Sequence, residues 1–193
     1  MPESAPLQSV AAASAQSLQL ANSGAWVAMR PITAADDREL ARLLRAVLRE
    51  HGLDRAGFAF VDPELDSMSA AYTAPDARYL VAEVVDGSAG APARGTLVAG
   101  GGVAPLAGGP QGVCELQKLY LAAEVRGQGL GQAMLDRCLA AAKTLGFHAC
   151  YLESAGHLTA AQRLFKRNGF EALPEPLGST GHGACDRFYL RPL

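Results

Sequence analysis

The chain predicts an α/β fold, a mixed sheet covered by helices, and three observations carry that expectation. Strand-like runs dominate the first two thirds of the sequence, helix and strand patterns alternate after them, and one strand near the middle enters a glycine-rich turn that opens a long amphipathic helix. The length of 193 residues suits one ordinary domain with a short appendage, and a hydrophobic fraction of 49% is enough to build its core.

Residues 1–24, rich in Ala and Ser, lack apolar periodicity and are expected to form a flexible N-terminal extension, leaving 25–193 as the domain. Trp26 to Arg30 reads as the first strand, and Thr33 can cap the helix that follows. Leu40, Leu43, Leu44, Val47 and Leu48 recur at helical spacing and give that helix one apolar stripe. His51 to Asp76 mixes Gly, Pro, Asp and aromatic residues without a period, as in loops and short helices that shape pockets. Arg78 to Val85 and Thr96 to Ala104 form a meander joined by a hairpin connection, and the glycine run Gly100 to Gly102 calls for a close neighbour across the second of these strands. Val113 to Leu121 follows as a strand and Gly129 to Leu145 as a helix stopped by Gly146. A strand at Ala149 to Glu153, a helix at Thr159 to Arg167 and a short strand at Phe188 to Leu190 complete the order.

The charge pattern narrows the partner. Seventeen basic residues are scattered among 19 acidic ones for a net charge of −2, which is not the concentrated positive face of a nucleic-acid binder. No secretion signal and no apolar run of membrane-spanning length is evident, so a cytoplasmic protein without membrane or nucleic-acid partners is expected. Cys114, Cys138, Cys150 and Cys185 share no CxxC spacing; they read as reduced thiols, and no metal site is expected. A catalytic cysteine paired with one of the four histidines remains the alternative.

Chemistry concentrates at Arg126-Gly127-Gln128-Gly129-Leu130-Gly131, between the Val113–Leu121 strand and the long helix. Glycines there let successive backbone N–H groups converge at a helix N-terminus, where the dipole adds positive potential, so the turn is built to hold phosphate. Arg126 can add a charge-assisted contact. A mononucleotide loop would end in Gly-Lys-Ser or Gly-Lys-Thr, but Gly131 is followed by Gln132 and Ala133. A dinucleotide fingerprint would need Gly-x-Gly-x-x-Gly early in a βαβ unit, whereas these glycines alternate two by two late in the chain. A purely structural glycine turn would not require the preceding arginine.

The pattern Arg-x-x-Gly-x-Gly after an apolar strand resembles the pyrophosphate-binding motif of the GNAT (GCN5-related N-acetyltransferase) superfamily. Ala161-Gln-Arg-Leu-Phe165-Lys-Arg-Asn-Gly169-Phe170 is likewise similar to that family's closing helix. The resemblance implies a mostly antiparallel, twisted sheet flanked by helices, with a splayed pair of central parallel strands. It implies acetyl-CoA as co-substrate, its pyrophosphate on residues 126–131 and its pantetheine arm in the gap, bonded to backbone around Leu119 and Leu121, with Phe165 on the closing helix beside it. The N–H of Leu121 would polarise the thioester carbonyl. Glu115 is the expected base for a small-molecule amine, with Glu153 on the neighbouring strand as second candidate, and strict alternation would put 115, 117, 119 and 121 on one strand face. A structural ion pair for Glu115, with Lys118 or an arginine, is the competing reading.

Two positions depart from the family's pattern. Phe165 stands where many relatives carry a proton-donating tyrosine, so either Tyr120, Tyr151 or water protonates the thiolate or, a thiolate being a fair leaving group, no general acid is needed; Leu158 replaces a frequent asparagine. His182, in the loop before the last strand, could border the acceptor pocket as a base or as a carboxylate contact. Direct transfer by a monomer or homodimer is the leading expectation. An acyl-CoA sensor without turnover, or an enzyme acting on a protein or peptide amine, are the alternatives.

Overall fold

In the computed structural model, which describes residues 17–87 and 91–193, the strands join one sheet. They are β1 (Ser17–Gln19), β2 (Trp26–Pro31), β3 (Arg78–Asp86), β4 (Leu97–Pro105), β5 (Val113–Leu121), β6 (Ala149–Ser154), β7 (Glu171–Leu173) and β8 (Arg187–Pro192). Their order is β1-β2-β3-β4-β5-β6-β8-β7, and every neighbouring pair is antiparallel except β5 and β6, which are parallel. The helices are α1 (Asp37–Glu50), α2 (Met68–Ala71), α3 (Leu130–Thr144) and α4 (Thr159–Arg167).

Side-chain alternation along β3 assigns the helices to faces. Tyr79 and Val81 pack with Leu40 and Leu44 of α1, whereas Ala82 and Val84 join Leu130 and Met134 of α3 on the other side. Phe165 of α4 lies on the α3 face, against Leu135 and Cys138. The close neighbour that the β4 glycines call for is Tyr79: a Cβ on Gly100 would stand 2.6 Å from its hydroxyl, and one on Gly102 would strike its ring. Gly146 ends α3 with φ +86, its N–H on the Lys143 carbonyl and the Phe147 N–H on Ala142.

The main departures from the expected elements are short. Part of the 1–24 segment, residues 1–16, lies outside the described residues, while Ser17–Gln19 pairs with β2 and Leu20 is buried. Strand β7 completes the far edge of the sheet with three residues. Neither three-residue segment is long enough to show a period of two. Among the described residues, no helix is long and apolar enough to cross a membrane.

Candidate active site

The site begins where β5 and β6 part. Their register covers only Val113–Glu115 against Ala149–Tyr151, so the last six residues of β5 leave the ladder and open a cleft. On the other edge of β5, Ala122 donates to the Val98 carbonyl of β4, which makes 98/122 the hydrogen-bonded pair. The adjacent Ala99/Leu121 pair is then the non-bonded one, and the N–H and C=O of Leu121 turn toward the gap.

Strict alternation does not survive along β5. Gly100 faces Tyr120 while Gly102 faces Gln117, so Lys118 and Leu119 together oppose Gly101: a β-bulge, with Lys118 at φ +50. The Tyr79 hydroxyl donates to the Lys118 carbonyl at 2.9 Å and stabilises this turn of the backbone. The bulge flips the parity of side chains. Leu119 and Leu121 point to the α3 face, whereas Tyr120 joins Glu115 and Gln117 on the α1 and α2 face. The expectation that 115, 117, 119 and 121 share one face is thus corrected, and the two halves of β5 serve opposite sides of the gap.

On the α3 side, Gly127 (φ +72) and Gly129 (φ +88) adopt left-handed backbone, and a Cβ at either would meet nothing within 4 Å. Both therefore turn their open side outward from the fold, as a cradle for a ligand requires. No side chain caps α3, whose first N–H groups lack intrahelical partners. Two members of the motif act differently from their neighbours. Gln128 is 7% exposed and turns inward: its amide oxygen accepts from the N–H of Asn22 and Ser23, and its nitrogen donates to the Glu124 carbonyl. Leu130 is a core residue, so both offer a ligand only main-chain N–H groups. Arg126 spreads its guanidinium over Glu50 at the end of α1 (2.6 and 2.8 Å), while its Nε donates to the Leu121 carbonyl at 3.0 Å. Gly131 sits in ordinary contact with Leu121 and Leu164.

The opposite side holds ionisable groups. Glu115 is 4% exposed, accepts from Gln117 Nε2 at 2.7 Å and lines the cleft. Burial pushes its carboxyl above the usual carboxylate range, against the opposing effect of the Gln117 bond. Gln117 is fixed in turn by the Tyr72 hydroxyl, which donates to its Oε1 at 2.6 Å. The Lys118 ammonium does not pair with Glu115; it lies 2.7 Å from both Asp62 and Glu64. Burial alone would lower the Lys118 pKa, but these two carboxylates outweigh it and raise it. His182 Nε2 reaches Asp62 at 3.0 Å, a bond that raises the imidazole pKa, and His182 also borders the cleft. Burial works to raise the pKa of Asp62, but His182 and Lys118 hold it below its ordinary value. Glu153, on the β6 wall, accepts from the Tyr151 hydroxyl at 2.8 Å.

Phe165 lines the cleft and packs edge-on against Phe170. Tyr120 borders the same space, and burial raises its pKa so that the phenol stays protonated. Tyr151 is engaged elsewhere, accepting the Leu177 N–H. Cys185 reaches the cleft, but burial and the nearby carboxylates of Glu153, Asp186 and Glu115 push its thiol up to about 12, which disfavours the thiolate. Sequence reading missed Asp62, Glu64, Gln117 as a hydrogen-bond partner, and Tyr72. Asp62 and Glu64 sit in an aperiodic stretch 54 or more residues from Lys118, and no spacing rule joins them.

The model of the Acetyltransferase (GNAT) family matches residues 48–170. The uncharacterized N-acetyltransferase YjgM of Escherichia coli (strain K12) is 37% identical over 166 residues, covering 86% of this chain and 94% of its own. A GNAT-family acetyltransferase structure from Staphylococcus aureus Mu50 superposes with a TM-score of 0.71 at 17% identity, over 86% of this chain and 99% of that one. A GNAT-superfamily phosphinothricin acetyltransferase from Sinorhizobium meliloti, solved with AcCoA, gives 0.64 at 21% identity, over 86% and 88%.

Proposed function

The chain belongs to the GNAT acetyltransferase family, and from that premise we propose that it moves an acetyl group from acetyl-CoA directly to the amine of a small molecule. Membership makes it an acyltransferase with acyl-CoA as co-substrate. The observation that carries the finer reading is Glu115, a buried carboxylate with a raised pKa at the point where β5 and β6 part. An ammonium has no lone pair, and a carboxylate titrating nearer neutrality is a better-matched proton acceptor than an ordinary one.

Each substrate has a side. The outward-turned backbone of Gly127 to Gly131 would hold the pyrophosphate, and the thioester supplies an electrophilic acyl carbon when bound. The Leu121 N–H, turned into the gap, is placed to donate to the acyl oxygen. Arg126 holds the Leu121 carbonyl and so steadies that donor. Glu115 takes the ammonium proton, the amine nitrogen bonds to the acyl carbon, the carbon–sulfur bond breaks, and the second proton that the nitrogen sheds on becoming an amide passes through Tyr120 or water to the departing thiolate. Tyr120, which borders the cleft and stays protonated, is a candidate for the donor role that Phe165 cannot fill.

Thiol release from acetyl-CoA in the presence of a panel of small amines tests the reading. Amine-dependent release that falls sharply in Glu115→Gln is the expected result. Tight acetyl-CoA binding with no release on any amine would instead establish a sensor, and release only with peptides a protein-directed enzyme.

A further inference from the structure

The acceptor side of the cleft is unbalanced in charge. Of the described residues lining it, the cations are Lys118 and His182, and both are engaged: Lys118 by Asp62 and Glu64 at 2.7 Å, His182 by Asp62 at 3.0 Å. These four groups neutralise one another when His182 is protonated. Among the described residues, no cation is then in ion-pair contact with Glu115 or Glu153, which face the cleft.

Glu115 and Glu153 also stand on the same face. Glu115 is in register with Tyr151 on β6, and Glu153, two residues further along, shares the face of Tyr151. The Tyr151 hydroxyl accepts the Leu177 N–H and donates to Glu153 Oε1, so this carboxylate is held in place rather than free to swing away. Leu53, Phe58 and Leu158 line the same cleft and offer apolar surface to an alkyl stem. Arg55 stacks over the Phe58 ring at 5.3 Å, but it is exposed and does not itself line the cleft.

We infer that the acceptor is an amine that carries a second cationic group, a short diamine or a longer polyamine, with Glu115 taking the proton of the reacting ammonium and Glu153 meeting the other. This rests on the acetyl-transfer reading above and names the substrate class for it. A carboxylate beside the amine is disfavoured by the same arrangement. It would have to approach two carboxylates, or displace Asp62 and Glu64 from cations they already contact, and like charges brought together discriminate strongly.

Three acceptors of similar length separate the possibilities: trimethylenediamine, propylamine and β-alanine, whose far ends are cationic, apolar and anionic. Initial rates are measured on the full chain at saturating acetyl-CoA and compared per neutral amine. The expected order of kcat/KM is diamine above propylamine above β-alanine, with the first gap about tenfold, as for one favourable charge pair in a partly buried site. Raising the ionic strength should shrink that gap, and Glu153→Gln should lower the diamine-to-propylamine ratio by about the same factor. The salt series on the unmodified chain keeps the test open if the variant fails to fold. β-Alanine matching or exceeding propylamine, or a ratio unmoved by both salt and Glu153→Gln, overturns the inference while leaving acetyl transfer intact. No thiol release with any amine overturns the acetyl-transfer reading itself, and this inference with it.

Discussion

The two sides of the β5–β6 gap are built from different materials. On the α3 side the contacts offered to a ligand are main-chain N–H groups, held by the left-handed Gly127 and Gly129 and backed by an apolar core. Facing α1 and α2, they are side chains in two bonded groups, Tyr72–Gln117–Glu115 and Lys118–Asp62–His182. The bulge at Lys118 lets one strand serve both, because it reverses which residues point to which side. Under the proposed reaction, a backbone cradle would suit the part that every turnover repeats, whereas side chains would carry the proton chemistry and the choice of acceptor.

The largest separation between the sides should come from Glu115→Gln. Loss of a positioned base lowers kcat by roughly 10²–10⁴-fold, while acetyl-CoA affinity should stay near its starting value because Glu115 lies on the acceptor side. The sign of its pH dependence follows from burial. The base works when ionised, and burial raises its pKa, so the rate should climb with pH through a midpoint above the usual carboxylate range, and that limb should vanish in the variant. A parallel loss of acetyl-CoA binding by calorimetry would show that the two sides are not separate.

Gly129→Val tests the other side. A valine must adopt φ +88, a conformation that costs L-residues of order 1–3 kcal/mol, and its side chain would occupy the outward space over the α3 N-terminus. Acetyl-CoA should bind about 10–100-fold more weakly, by the same scale of about 1.4 kcal/mol per tenfold, with the acceptor preference unchanged. Unaltered affinity would remove the pyrophosphate from this loop.

The same contrast explains what could be read from the sequence. The cradle is local: Arg126 to Gly131 adjoin along the chain, and apolar periodicity marks the strand before and the helix after. Even there, the inward turn of Gln128 depends on Asn22 and Ser23, more than a hundred residues away, and the grip of Arg126 depends on Glu50. Apart from the Gln117–Glu115 bond, between residues two apart, the acceptor side is long-range. Glu115 could be singled out by type and strand position, but its partner is Gln117 rather than Lys118, because the bulge carries Lys118 to Asp62 and Glu64. A bulge leaves no mark in a period-two pattern when the residue at positive φ is a lysine.

Lys118→Met should act on stability more than on cofactor binding. It leaves Asp62 and Glu64 close together without their shared cation. Removing one partner of a fully buried pair costs about 3–5 kcal/mol. Glu64 is 33% exposed, so water recovers part of that loss and about 1–2 kcal/mol is expected here. The pH trend has a definite sign. Asp62 is held below its ordinary pKa, so its contribution is present above the unfolded value and fades as pH falls through the folded one. In the variant that contribution shrinks, and the melting temperatures of the two proteins should converge in acid. Equal melting temperatures at neutral pH would show that the cluster does not support the acceptor side.

Tyr72→Phe is the finest cut, because it changes one hydroxyl and keeps the ring against Tyr79, 4.9 Å away. The hydroxyl donates to Gln117 Oε1 and so fixes which end of that amide faces Glu115; as arranged, Nε2 donates to the carboxylate and favours its ionised form. Without the hydroxyl the amide can rotate and present its oxygen, which favours the protonated carboxyl instead. The pKa of Glu115 should then rise further, moving the acid limb of the rate profile to higher pH. A hydrogen bond worth about 0.5–1.5 kcal/mol corresponds to a loss of roughly 2–10-fold below the midpoint, and the loss should disappear on the alkaline plateau, where Glu115 is ionised either way. A lowered plateau with an unmoved limb would mean that Tyr72 merely packs. A shifted limb with the plateau preserved is the outcome expected if the hydroxyl acts through Gln117 on the proton affinity of the base.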